Sequence, residues 1–339
     1  MKSQRNKTDK IIFDLDGVIT SEYMYWQAAA LTVYELLYSY EYYGKQDIDR
    51  EWCRKNVNLI YDTIFCGEKT IRGVKRLGVN TNWDLAYVTF CISRYLDPNR
   101  LDTFDSQYFE SVCMFIENME IHPPELYVGV EGLVATVVPK EVGFFKRGAD
   151  GLWQELNDIF DRWLFGDDEV CGLTETEEPI LPVDEIKKTL LILKEKGYKL
   201  GIGTGRPKKE AEYPLKKWGL YDLFEKDMIA TYDEVKKAEE GQNSGITLAK
   251  PHPFIFQKAA FGNEFSETDI LKGEIPKERQ KECLVIGDAL SDYLGAKAAG
   301  FVFGAVLTGV EGEGARPFFE EVGADLIYSS ILDLIEYKG

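Results

Sequence analysis

The stretch VDEIKKTLLILKEKGYKLGIGTGR, residues 183–206, decides the fold. Ile186, Leu190 and Leu193 recur at helical spacing, which predicts a helix over Asp184–Lys196 with Asp184 as its cap and Gly197 at the stop position. Tyr198–Gly203 then reads as a short strand, and Thr204-Gly205-Arg206 as the turn that leaves it. The same alternation runs on toward the C-terminus. Helices are expected over Lys208–Trp218, Pro253–Phe261, Tyr293–Ala299, Pro317–Val322 and Ile331–Tyr337. Strands are expected over Met228–Ala230, Glu282–Gly287, Phe303–Leu307 and Leu326–Tyr328. Strands and helices alternating at this spacing build a parallel sheet with helices on both faces, a Rossmann-like three-layer α/β/α core.

Upstream, an acidic run with two prolines (TETEEPILP, residues 174–182) reads as a linker. Before it, EYMYWQAAALTVYELLYSYEYY, REWCRKNVNLIYDTIF and WDLAYVTFCISRYL repeat apolar residues at three and four positions and are rich in aromatics. This block is mostly helical; Leu126–Val138, richer in Val and Gly, fits a helix and an extended segment equally. Lys10-Ile-Ile-Phe-Asp14 is one more buried strand, and it belongs to the later sheet. The expected organisation is a core made of residues 1–22 and 179–339, with a large helical insertion, residues 23–178, after the first strand.

Composition narrows the function classes. The chain has 339 residues, 40 Lys and Arg against 58 Asp and Glu, and a net charge of −18. Such a surface repels phosphate backbones and anionic lipids, so neither nucleic acid nor a membrane surface is an expected partner. No apolar run reaches the length of a membrane span or, ahead of Asp14, of a signal peptide. Cys53, Cys66, Cys91, Cys113, Cys171 and Cys283 are scattered without a Cys-x-x-Cys, as in a reduced cytoplasmic protein.

Open parallel sheets bind ligands beyond the carboxyl ends of their strands. There the sequence puts Asp14 and Asp16 after the first strand, Thr204, Gly205 and Arg206 after the second, Lys250 after the third, and Asp288 with Asp292 after the next. Carboxylates gathered at one edge repel each other and call for a cation; hard oxygen ligands suit Mg²⁺, which keeps waters and bridges to phosphate. A carboxylate such as Asp14 can take a phosphoryl group, splitting hydrolysis into two displacements. Asp16 would protonate the leaving oxygen and then deprotonate water. Gly17 permits the tight turn that exposes both. Thr204, the N–H groups around Gly205, and Lys250 would balance charge on the phosphoryl oxygens.

Ile12-Phe-Asp14-Leu-Asp16-Gly17-Val-Ile-Thr20, Thr204-Gly-Arg, Lys250-Pro and Gly287-Asp288-Ala-Leu-Ser-Asp292 resemble, in order and spacing, the four motifs of the haloacid dehalogenase-like (HAD) hydrolase superfamily. The insertion falls where the phosphoglycolate-phosphatase-like branch carries its helical cap, though it is larger. The resemblance implies Mg²⁺ held by the carboxylates of Asp14 and Asp288 and the carbonyl of Asp16, with Asp292 behind them holding Lys250 or a metal-bound water. It implies a Mg²⁺-dependent phosphatase acting on a small phosphorylated metabolite through an aspartyl phosphate. The cap would select the substrate, with hinges near Thr20–Tyr23 and Glu178–Pro182. A phosphomutase is the alternative chemistry, and a non-catalytic binding protein on the same fold the alternative class. Four other features have two readings each. Gly201-x-Gly203-x-Gly205 hints at a dinucleotide fingerprint, but Arg206 stands where the third Gly belongs. His252 either lines the site or caps a helix. Tyr23 and Tyr25 either pack in the cap or reach the cleft. The basic run Lys69–Arg76 is either a solvated face or a grip on the far end of the substrate. His122 is expected to be structural.

Overall fold

Beyond its first residue Lys10–Phe13 (β1) is apolar, and successive side chains leave a strand on opposite sides. In the computed structural model, which describes residues 8–79, 81–98, 104–138, 145–148, 151–242 and 247–338, both sides are covered. Ile12 joins one buried core, while Ile11 and Phe13 join another across the sheet. A strand enclosed this way must be apolar throughout, which is why it shows no alternation in sequence.

Five further strands follow: Lys199–Gly203 (β2), Ile229–Ala230 (β3), Cys283–Gly287 (β4), Val302–Val306 (β5) and Leu326–Tyr328 (β6). All pair in parallel, in the order β3-β2-β1-β4-β5-β6. On one face Phe254–Phe261 and Leu290–Ala299 cover the sheet; on the other Val183–Glu195, Lys208–Lys217 and Ile331–Glu336 do. Phe13 is in register with both Ile202 and Ile286, so β1, β2 and β4 end at one level. Strand order reverses between β1 and β4, and in such sheets the crevice beside that reversal receives ligands.

The chain divides into two compact units, Met1–Ser21 with Glu178–Gly339, and Glu22–Glu177. The first holds the sheet. Within it the two crossing segments are tied together: Ser21 N–H donates to Glu178 O at 3.0 Å, and Ile180 N–H to Ile19 O at 3.0 Å. In the second unit Tyr23–Tyr38 is buried along almost its whole length. It packs against Val57–Phe65, Asn82–Leu96 and Leu152–Phe165. Tyr23 lies 4.8 Å from the Tyr61 ring, and Tyr34 and Tyr38 pack on Phe104. No described helix is long and apolar enough to cross a membrane.

The structure refines the sequence reading at several places. Glu125–Val137 is a helix. Leu290–Ala299 starts three residues early because the Asp292 carboxylate accepts the Ala289 N–H at 3.3 Å, fixing the first turn. Asp184 lies inside its helix, whose cap position is Pro182. Ile331–Glu336 is a 3₁₀ helix rather than an α-helix. Tyr232–Gln242, Glu267–Leu271 and Lys277–Gln280 form helices that the spacing did not announce. Gly197 does stop its helix, at φ 92°.

Phe256 is the pivot of one face. It is fully buried, and a Cβ on Gly203 would come within 2.8 Å of its ring and one on Gly295 within 3.1 Å. Both glycines therefore exist to admit this ring between β2 and the Leu290–Ala299 helix. Phe256→Ala should cost about 3–5 kcal/mol, read as a drop in the urea midpoint with an unchanged slope.

Candidate active site

The residues gathered at the strand ends belong to the sheet unit. Asp14 is the residue next after β1 and is still held in the ladder, its N–H donating to Ile286 O at 2.9 Å. The chain then turns sharply. Leu15 O accepts N–H groups of Val18, Ile19 and Thr20, and Gly17 adopts φ 70°, which a side chain would strain. After β2, Thr204 is buried, and its Oγ1 accepts the Arg206 N–H at 3.2 Å. Gly205 has nothing within 4 Å of where a Cβ would stand, so the backbone there faces open space.

Lys250 joins the elements electrostatically. Its Nζ lies 2.8 Å from Asp14 Oδ1 and 2.8 Å from Asp292 Oδ1, and 4.9 Å above the Phe256 ring. Burial, the largest influence, pushes the Asp14 carboxyl up to about 7 against the pull of Lys250, with Asp292 and Asp16 adding to the rise. Burial also opposes the charge on Lys250, yet Asp14 and Asp292 together raise its pKa.

Asp288 closes the cluster. It offers a carboxylate oxygen that lies with those of Asp14 and Asp292 inside a 4.8 Å span. Three carboxylates thus gather around the Lys250 ammonium. The donor set is all oxygen, which fits a hard divalent cation such as Mg²⁺.

Asp14, Lys250, Asp288 and Asp292 are thus brought together, with Thr204 and Gly205 at the end of the adjoining β2. The side chain of Asp16 is differently engaged. Arg206 Nε donates to its two oxygens at 3.1 and 3.0 Å, Arg206 Nη2 donates to Oδ1 at 2.5 Å, and Thr20 Oγ1 donates to Oδ1 at 3.2 Å. Arg206 is itself buried and also reaches Thr20 Oγ1 at 3.0 Å. The sequence reading placed Arg206 at the end of the second strand and in the Thr204-Gly-Arg segment but gave it no role in the site. A buried guanidinium beside a strand end full of carboxylates was the signal it overlooked.

Thr308 and Gly309 were missed altogether, because the end of β5 carries no charged residue to draw notice. Thr308 Oγ1 donates to Gly17 O at 2.5 Å. His252 Nδ1 accepts the N–H of Phe254, the first residue of the following helix, at 3.2 Å, and desolvation lowers its pKa. His122 Nδ1 lies 3.0 Å from Leu77 O in the other unit and is structural. The basic run is largely spoken for inside its own unit. Lys75 pairs with Glu22 at 2.6 Å, Arg72 with Glu68 at 2.8 Å, and Arg76 donates to Glu117 O and Met119 O.

Removing Lys250 would leave Asp14 and Asp292 buried without their shared countercharge. In chelated protein, Lys250→Met should cost about 3–5 kcal/mol at pH 8. A carboxyl whose folded pKa is raised loses stability as pH climbs from its unfolded value toward its folded one. Without Lys250 that window extends upward, so the penalty should shrink toward pH 5, where Asp14 keeps its own proton. Urea titrations at the two pH values measure this.

Comparison with known proteins agrees with the geometry. A family model described as haloacid dehalogenase-like hydrolase matches residues 8–300. The pyrophosphatase PpaX of Bacillus thuringiensis is 26% identical over 159 residues, covering 47% of this chain and 60% of that protein. The PpaX of Bacillus mycoides is 27% identical over 159 residues, with the same coverage. The matched segment thus spans about 60% of the length of these curated relatives. An X-ray structure of a Northeast Structural Genomics Consortium target superposes with a TM-score of 0.76 at 28% identity, covering 96% of this chain and 97% of the other. With the family model matching most of its length and the carboxylates gathered at the strand ends, this chain belongs to the haloacid dehalogenase-like hydrolase family.

Proposed function

We propose that the protein is a Mg²⁺-dependent phosphoric monoester hydrolase that acts on a small phosphorylated metabolite. One observation carries the reading: Lys250 bridges Asp14 and Asp292 at 2.8 Å each, with Asp288 in the same cluster, beside the point where strand order reverses. An Asp14 oxygen forms a bond to phosphorus as the bond to the leaving oxygen breaks, and Asp16 gives that oxygen a proton. Water then attacks the aspartyl phosphate, passes its proton to Asp16, and frees Asp14 and inorganic phosphate. Thr204, the Gly205 backbone and Lys250 face the charge on the transferred group. Asp14, Asp288 and the Asp16 carbonyl would hold the metal, which supplies charge neutralisation at the phosphoryl oxygens when bound. Asp292 acts through Lys250. The helical unit Glu22–Glu177 is assigned substrate selection as a cap. The six cysteines, all free thiols, favour a reducing compartment such as the cytoplasm.

The engagement of Asp16 favours a second reading of the substrate. Arg206 donates to both Asp16 oxygens and Thr20 adds a donor at Oδ1, so this side chain is engaged throughout as a hydrogen-bond acceptor. Such a site suits a leaving group that departs with little help, as phosphate does from pyrophosphate, the substrate class named for the PpaX relatives. Parallel rates on pyrophosphate and an alkyl phosphate choose between the two.

Exhaustive chelation should abolish phosphate release, with Mg²⁺ restoring it, and Asp14→Asn should abolish turnover in folded protein. Activity surviving either treatment would refute the corresponding assignment. Asp16→Asn should slow transfer from an alkyl phosphate by roughly 10²- to 10⁴-fold. Nitrophenyl phosphate has a leaving group that needs no proton, so that variant should release one equivalent of nitrophenolate in a burst and stall with phosphate on Asp14. Equal losses on both substrates without a burst would remove Asp16 from proton transfer.

A further inference from the structure

The carboxylate of Asp288 lies in a gap between two glycines. A Cβ built on Gly17 would overlap Asp288 Oδ2, and a Cβ built on Gly309 would overlap the same atom and come within 3.0 Å of Cγ. The two glycines come from different loops, one after β1 and one after β5. The loops are bound to each other across the carboxylate, because Thr308 Oγ1 donates to Gly17 O at 2.5 Å. The Asp288 carboxylate therefore occupies the space that side chains on Gly17 or Gly309 would fill, in a gap bridged by the Thr308 hydrogen bond.

We propose that Thr308 and Gly309 are positioning residues of the metal centre: they fix the Asp288 carboxylate for a small divalent cation and disfavour a larger one. The inference rests on the metal-dependent reading above. Mg²⁺ demands near-ideal octahedral ligands at short range, whereas Ca²⁺ accepts flexible and irregular ones. A carboxylate pinned from two sides serves the first requirement and gives nothing to the second. Both residues act through Asp288, as groups behind a metal's ligands commonly do.

The two glycines are not equivalent as probes. Gly17 has φ 70°, so a side chain there strains the backbone as well as filling the gap. Gly309 is not among the positive-φ glycines, and what its Cβ would meet is the end of the Asp288 side chain. Gly309→Ala should therefore keep the fold and displace the carboxylate. Thr308→Val removes the tie between the loops at nearly constant volume, and Thr308→Ser restores the donor.

The test is calorimetric titration of the metal-free full chain with MgCl₂ and, separately, CaCl₂, with thermal melts in chelator to verify folding. Gly309→Ala should weaken Mg²⁺ binding by about 10- to 100-fold and weaken Ca²⁺ binding less, so that the preference for Mg²⁺ falls. Thr308→Val should move the same ratio in the same direction, and Thr308→Ser should return it toward the wild-type value. Folded variants that bind both ions as the wild type does would overturn the proposal, as would equal weakening for the two ions. A wild-type chain that binds neither ion would overturn the metal-dependent reading and this inference with it. Wild-type binding with unaltered variants would overturn the inference alone.

Discussion

Two buried carboxylates, Asp14 and Asp292, share a single ammonium, that of Lys250. Neither carboxylate would be tolerated at this depth alone, and together they hold Lys250 charged against its own desolvation. Much of the surrounding structure serves this contact. Asp14 is placed by the β1 ladder, Asp292 by the first turn of the helix after β4, and Lys250 by the segment leading to Phe254–Phe261. Gly287 has no side chain because its Cβ would fall within 2.5 Å of the Cβ of Asp292. Phe256 supports the ammonium from below, and Gly203 and Gly295 make room for Phe256. A chain of close approaches thus runs from the sheet interior to the charged edge.

The charge arithmetic at that edge explains why the fold and the proposed chemistry are hard to separate. Lys250 bridges two of the three gathered carboxylates, and burial, ahead of any neighbouring charge, raises the pKa of Asp14. In the proposed chemistry a divalent cation would add positive charge at these carboxylates, and a phosphoryl group would bring further negative charge for Lys250 to meet. Asp16 stands apart from this cluster although it is only two residues from Asp14. The tight turn sends its carboxylate to Arg206 and Thr20, a separate, well-hydrogen-bonded ion pair. Adjacent carboxylates are thereby given different surroundings, which is how one fold assigns different tasks to like groups.

The sequence by itself determined the architecture of the sheet unit. Short apolar runs punctuated by glycine and alternating with amphipathic helices have few solutions, and strand ends were legible to within a residue or two, as with Leu326–Tyr328. It also located the charged residues of the site, because carboxylates at the ends of buried strands have no structural reason to be there. The tertiary structure decided what each of those groups touches. That Arg206 belongs to Asp16, and that Asp292 shares Lys250 with Asp14, depends on contacts between residues far apart in the chain. That Thr308 and Gly309 border Asp288 depends on a loop with no charge and no motif. The helical assignment of Glu125–Val137 was likewise beyond local propensity, since Val and Gly do not favour a helix until packing selects one. Periodicity is local and survives in the sequence, whereas the pairing of side chains across strand ends is fixed only when the sheet brings them together.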